Sequence, residues 1–148
     1  MKNKIVDSHC HLDFEDFSDD LDKVITDAKE VNVEYMLSIS IDFKKFDLIQ
    51  KIANRYKNVW CTTGVHPNNV PIKFSESEIN QLKTKLINNI SKKKVIGLGE
   101  TGLDYFRGCE NKKNQMEYFE THMEVSGEEK VPIIVHTRDA DSDTIDFI

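Results

Sequence analysis

The sequence is poor in the residues that punctuate or staple a chain, with 3 Pro, 6 Gly and 3 Cys in 148 residues. So little Gly and Pro argues against fibrous and low-complexity chains. The 39% of hydrophobic residues, beside 31% charged, supplies enough apolar side chain for one globular core. Cys10, Cys61 and Cys109 are odd in number and widely spaced. They suit a reducing compartment better than a disulfide framework, and the cytoplasm is the simplest location. No run approaches the roughly 20 apolar residues of a membrane span. At the start, only Ile5 and Val6 separate Met1-Lys-Asn-Lys4 from Asp7, so the segment does not read as a secretory signal. Positive charge is also in deficit. Against 26 acidic residues stand 20 basic ones, a net charge of −6, which argues against a chain that coats nucleic acid through bulk charge. It leaves room for a site where bound cations attract phosphate locally.

What is present is an alternation of short apolar runs with longer amphipathic ones. Strands are expected at Ile5-Val6 leading into His9, and at 35–41, 59–65, 95–98 and 131–135. Between them Leu21, Val24, Ile25, Ala28 and Val31 recur at helical spacing. Phe46, Ile49, Ala53 and Tyr56 repeat the pattern, then Ile79, Leu82, Leu86 and Ile90, then Met116, Phe119 and Met123, and a fifth helix begins near Asp143. Ser18, followed by Asp19 and Asp20, reads as the cap of the first helix, and Ser75 with Glu78 as a capping box for the third. Gly127 is expected to end the fourth helix early, and Lys92-Lys-Lys94 to solvate a loop. Strands that alternate with helices imply a parallel sheet covered by its crossovers, an α/β architecture in a single domain over residues 1–148.

The strongest local signal is Asp7-Ser-His-Cys-His-Leu-Asp13. Residues two apart on a strand share a face, so His9 and His11 can converge on one metal, while Cys10 points to the other face. Alone, such a pair is as often an ordinary surface or core feature. Its weight comes from three further polar clusters placed where later strands end: His66 after the third, Glu100 after the fourth, His136 and Arg138 after the fifth. In parallel α/β proteins, loops at the carboxyl ends of strands build the active site, so these clusters are expected to meet.

These motifs, in this order, resemble the TatD family of metal-dependent deoxyribonucleases within the amidohydrolase-like barrels. Gly64-Val-His-Pro67, Gly99-Glu-Thr-Gly-Leu-Asp-Tyr105 and Pro132-Ile-Ile-Val-His-Thr-Arg-Asp-Ala140 carry the likeness, which covers essentially the whole chain. Many other His-x-His hydrolases bridge two metals with a modified lysine, whereas the TatD-like pattern has a glutamate, matching Glu100. The resemblance implies that His9 and His11 bind one divalent cation, that Glu100 bridges two and is the central catalytic residue, and that His136 binds the second. Imidazole with carboxylate suits zinc, manganese or iron, and a weakly held site could also take magnesium; the sequence does not choose among them. It implies DNA as substrate, cleaved by hydrolysis of an ester bond with a metal-activated water.

Beside these, His66 is a candidate either for a substrate contact or for a loop-orienting hydrogen bond next to Pro67. Arg138 is a candidate for pairing with substrate phosphate, or else for an ion pair with Asp104 or Asp139. Asp104 reads as supporting a ligand, and Asp7 and Asp13 as orienting a histidine or capping backbone. His122, on the fourth helix, reads as a surface or packing histidine. Tyr105 and Phe106 line a cleft or cover the rim.

The resemblance implies a TIM-like (β/α)8 barrel of the metal-dependent hydrolase type, about 250 residues in full, here truncated after about five βα units. A histidine and an aspartate that the family brings from later strands would then be absent, and two strand edges would stand open to self-association. Two other readings stay in view: a catalytically silent fragment with partial metal binding, and a related hydrolase of another ester or amide.

Overall fold

Five runs rich in Val, Ile and Thr form the strands: β1 (Ile5–Cys10), β2 (Val33–Ser38), β3 (Val59–Thr63), β4 (Val95–Asp104) and β5 (Ile133–Arg138). The structure, a computed structural model, describes residues 3–106, 108 and 110–148, so the Cys109 reading lies outside the described residues. Helices α1 (Leu21–Glu30), α2 (Phe46–Arg55), α3 (Glu76–Ile90), α4 (Lys112–Glu129) and α5 (Asp141–Phe147) fill the intervals. All four strand pairs are parallel and the spatial order is the chain order, β1-β2-β3-β4-β5. With the crossovers packed on it, this sheet is a half-barrel.

The apolar stripes bury as their spacing demands. Ile25 of α1 and Phe46, Ile49, Ile52 and Ala53 of α2 pack with Met36, Val59 and Cys61 of the sheet. Leu82 and Leu86 of α3 meet Leu98, Tyr118 and Val125, and Phe119 of α4 meets Leu103 and Ala140. A fully buried side chain such as Phe119 or Ile49 contributes about 2 kcal/mol relative to exposure. Two glycines let the strands approach. A Cβ on Gly64 would lie 2.5 Å from Gly99 Cα, and one on Gly102, at φ +133°, would lie 2.1 Å from the His136 carbonyl oxygen. Among the described residues no helix is long and apolar enough to cross a membrane.

Several local expectations are corrected. β4 and β5 run on through Asp104 and Arg138, so Glu100, His136 and Arg138 lie inside strands rather than after them. The polar residues face the site while their backbones are still paired, Thr101 with Val135, Gly102 with His136 and Asp104 with Arg138. Ser18 does not cap α1, whose flanking residue is Asp20, because its hydroxyl donates to the Glu15 carbonyl at 2.8 Å. Gly127 does not stop α4, which continues to Glu129 and ends at left-handed Lys130 (φ 56°). Lys94 does more than solvate a loop: its Nζ donates to the carbonyls of Tyr56, Lys57 and Val59 at 3.2, 2.7 and 3.0 Å and sits 4.1 Å from the Trp60 ring centroid. The capping box at α3 does form, with Glu78 Oε2 accepting from the Ser75 N–H at 2.7 Å.

Candidate metal centre

The carboxyl ends of the strands are stitched by short polar side chains. Ser38 Oγ accepts from the Leu12 N–H at 3.1 Å and so holds the segment after His11 against β2. Thr62 Oγ1 accepts from the Ser40 N–H at 3.0 Å and donates to the Gly99 carbonyl at 2.6 Å, while the Glu100 N–H reaches the Ser40 carbonyl at 2.7 Å. The Glu100 side chain is thereby fixed where β2, β3 and β4 meet, and the residue is only 8% exposed.

Its two oxygens face two different histidine groups. Oε2 lies 3.4 Å from His9 Nε2 and 3.9 Å from His11 Nε2. Oε1 lies 3.0 Å from His136 Nδ1 and 3.9 Å from His66 Nε2. Within each group, His9–His11–Glu100 and His66–Glu100–His136, all the donor atoms fall within 4.8 Å of one another. Expectation set His66 apart from the histidines that gather at Glu100; by distance it stands among them.

Neighbours orient these rings. The His11 Nδ1 faces the Ile39 carbonyl at 3.0 Å, and Phe14 stacks on the same ring at a centroid distance of 4.8 Å. Asp104 Oδ2 takes His136 Nε2 at 3.1 Å and Asn68 Nδ2 at 3.1 Å, while its Oδ1 accepts from the Phe106 N–H. Burial works to raise the Asp104 carboxyl, but the Phe106, Asn68 and His136 hydrogen bonds outweigh it and hold the group below its ordinary range. For His66, burial comes first and the charge of His136 second, and together they push the imidazole below its ordinary value against the pull of Glu100 and Asp104. The loop-orienting bond foreseen for His66 exists, since its Nδ1 accepts from the Asn68 N–H at 3.1 Å.

The remaining candidates separate cleanly. Arg138 forms neither of the ion pairs considered for it among the described residues; its guanidinium lies over the Phe106 ring, 3.5 Å from the centroid. Cys10 turns away, its Sγ 3.4 Å from the Leu37 carbonyl, and burial pushes its thiol up to about 12, so it offers no thiolate to the centre. Asp7 caps backbone, accepting from the His9 N–H at 3.1 Å. Asp13 is buried, and its Oδ1 has no hydrogen-bond partner among the described residues. Tyr105 turns its hydroxyl to Asp143 at 2.7 Å.

Two residues of α4 contribute more than sequence reasoning allotted them. The Gln115 amide pairs with both backbone groups of Asp104, accepting from its N–H at 2.8 Å and donating to its carbonyl at 3.1 Å. Of the two readings for His122, surface or packing, burial selects packing: it is fully buried, its Nδ1 faces the Tyr118 carbonyl at 2.7 Å and its Nε2 accepts from the Val65 N–H at 3.2 Å, next to His66. Polar residues seven apart on an otherwise apolar helix face were the available signal.

Imidazole and carboxylate donors of this kind suit a borderline divalent cation. His136 lies between two carboxylates, Nε2 at 3.1 Å from Asp104 Oδ2 and Nδ1 at 3.0 Å from Glu100 Oε1, so a neutral ring leaves one nitrogen lone pair against a carboxylate, a contact that a cation between them would stabilise. The donor set therefore fits bound metal. Residues 6–148 match the model of the TatD related DNase family. The chain belongs to the TatD family. A relative from Buchnera aphidicola subsp. Baizongia pistaciae, named as an uncharacterized metal-dependent hydrolase, is 35% identical over 97% of this chain and 53% of its own length. The human protein named deoxyribonuclease TATDN3 is 32% identical over 97% of this chain and 56% of its own. In structure, the TatD homologue YJJV of Escherichia coli K12 superposes with a TM-score of 0.85 at 25% identity, over 97% of this chain and 54% of that one. This TatD chain thus spans about half the length of the relatives it matches.

Proposed function

We propose that this single TatD-like domain belongs to a divalent-metal-dependent hydrolase that cleaves phosphodiester bonds in DNA. The observation that carries the reading is the division of the Glu100 carboxylate, Oε2 toward His9 and His11 and Oε1 toward His136. In it, His9, His11, Glu100 and His136 hold two divalent cations, zinc, manganese, magnesium or iron. When bound, the cation pair polarises a phosphoryl oxygen and lowers the pKa of water. Family membership and the human relative's name as a deoxyribonuclease support DNA as substrate.

The chain's own residues have defined tasks in this reading. Glu100 bridges the two halves of the centre and keeps their donors together. Asp104 holds the His136 ring so that Nδ1 faces Glu100. His66 offers a ring nitrogen to substrate phosphate, and Arg138, exposed and propped on Phe106, reaches the same phosphate with its planar fork.

The test is purified chain with Mn2+ or Mg2+ on end-labelled single- and double-stranded DNA. Chelator-sensitive cleavage that is lost in Glu100→Ala is expected. Folded protein that binds metal without cleaving would instead mark a silent fragment, and hydrolysis of model esters with none of DNA would mark a related hydrolase.

A further inference from the structure

Three histidine rings of the centre are each held by the protein at the nitrogen other than the one nearer Glu100, and the sense of that engagement differs. His11 turns Nδ1 to the Ile39 carbonyl, and His136 turns Nε2 to Asp104 Oδ2. The Ile39 carbonyl is an acceptor, so the neutral His11 ring carries its hydrogen on Nδ1. His136 lies between two acceptors, Asp104 Oδ2 and Glu100 Oε1, and its hydrogen belongs on Nε2 because its Nδ1 also meets, at 3.2 Å, the His66 nitrogen that bears one. Nε2 of His11 and Nδ1 of His136 then keep lone pairs toward Glu100. His66 is the reverse. Its Nδ1 lone pair accepts from the Asn68 N–H at 3.1 Å, so the neutral ring carries its hydrogen on Nε2, the atom 3.2 Å from His136 Nδ1. A ring nitrogen that bears hydrogen does not ligate a cation. To ligate through Nε2, His66 would have to give up the Asn68 bond or lose its one ring N–H hydrogen and become an imidazolate.

We propose that Asn68 is a positioning residue that sets the tautomer of His66 and makes that ring a hydrogen-bond donor inside the site, not a further ligand beside His136; the role rests on the metal-centre reading above. The Asn68 side chain works on the other ring. Its Nδ2 donates to Asp104 Oδ2 at 3.1 Å, the same oxygen that takes the His136 hydrogen. One residue therefore holds two facing rings in complementary states, His136 with a lone pair inward and His66 with an N–H inward. The turn that carries Asn68 is firm: Pro67 opens a 3-10 turn over Pro67–Asn69, the His66 N–H reaches the Ile41 carbonyl at 2.8 Å, and the Val65 N–H is held by His122. With the His136 lone pair given to a cation, the inward N–H of His66 is available to an anionic oxygen brought into the same space. A phosphodiester, with two non-bridging oxygens, can offer one to the cation and one to His66.

Imidazole nitrogen resonances of the full chain, labelled with 15N in its histidines, test this without reference to activity. In metal-free protein His66 should show an unprotonated Nδ1 and a protonated Nε2, and His11 the opposite. Loading with 113Cd2+ should produce cadmium–nitrogen coupling at His9, His11 and His136 and none at His66. Asn68→Pro removes the backbone N–H, and His66 Nε2 should then gain cadmium coupling, a change that loss of packing alone would not produce. Asn68→Ala keeps the backbone donor and should leave the His66 tautomer unchanged while the His136 resonances shift. Cadmium coupling at His66 in the unaltered chain, a protonated Nδ1 there, or an unchanged tautomer in folded Asn68→Pro overturns the proposal. If Asn68→Pro does not fold, the unaltered chain's spectra decide. Absence of any cadmium coupling refutes the metal-centre reading separately, and the metal-free tautomer of His66 still decides the role of Asn68.

Discussion

Glu100 Oε1 lies 3.0 Å from His136 Nδ1, and the other nitrogen of that ring, Nε2, is 3.1 Å from Asp104 Oδ2. The ring is thus suspended between two carboxylates, one for the centre and one for its support. Asp104→Asn keeps the shape but can turn a donor toward Nε2, removing the partner that fixes the ring. Mn2+ affinity, measured by titration calorimetry, should fall by about 10- to 100-fold, the range typical for partners that orient metal-ligating histidines. Glu100→Gln should reduce it further, because both groups lose their shared charge. Affinity unchanged in both variants would remove Glu100 and Asp104 from any metal centre.

Stability should depend on pH through His122. Burial pushes its imidazole down to about 4, while in the unfolded chain it titrates near its ordinary value of about 6.5. Between those values the unfolded state binds more protons than the folded one, so folding stability rises with pH across this window and is lost as pH falls from about 6.5 toward 4. The full effect is about 3 kcal/mol. Urea midpoints from pH 7 to 4.5 should show the loss, and His122→Gln should flatten it. Parallel curves for the two proteins would refute the assignment.

Gly102 carries a separate cost if altered. Its φ of +133° and the 2.1 Å approach of a virtual Cβ to the His136 carbonyl leave no place for a side chain. Gly102→Ala must move β4 from β5, and with it Asp104 from His136. A loss of about 2–4 kcal/mol is expected, in the range of overpacking with backbone strain. Chemical denaturation that shows less than about 0.5 kcal/mol would mean the strands separate freely.

How legible all this was in the sequence varies with the range of the interactions. Apolar patterning located the five strands and five α-helices of the described residues, since local spacing must match the sheet it covers, but not the 3-10 turns at Glu15–Phe17 and Pro67–Asn69. Strand ends were misplaced at Glu100 and His136 because polarity was read as the end of pairing, whereas here it marks the inward face of a strand still paired. The convergence of His9, His11, Glu100 and His136 was legible, because each lies at or near the carboxyl end of a parallel strand. The roles of Asn68, Gln115 and His122 were not, because each depends on a backbone group 11 to 57 residues away in the case of α4, or on one ring nitrogen in the case of Asn68. Lys94 was misread for the same reason: its three carbonyl partners come from a neighbouring strand and the turn before it.

The edges of the sheet make the last prediction. Among the described residues β1 and β5 each pair on one side only, and on β1 Ile5 is 50% and Val6 60% exposed. Unpaired backbone beside exposed β-branched side chains is a template for adding another strand. The 148-residue polypeptide, purified as such, should therefore associate with itself as concentration rises, as read by light scattering. Val6→Lys should reduce that association, because a charge at an edge must be desolvated before a second strand can pair, and its effect should weaken in high salt. A monodisperse monomer across the whole concentration range would show that the two edges do not recruit a partner chain.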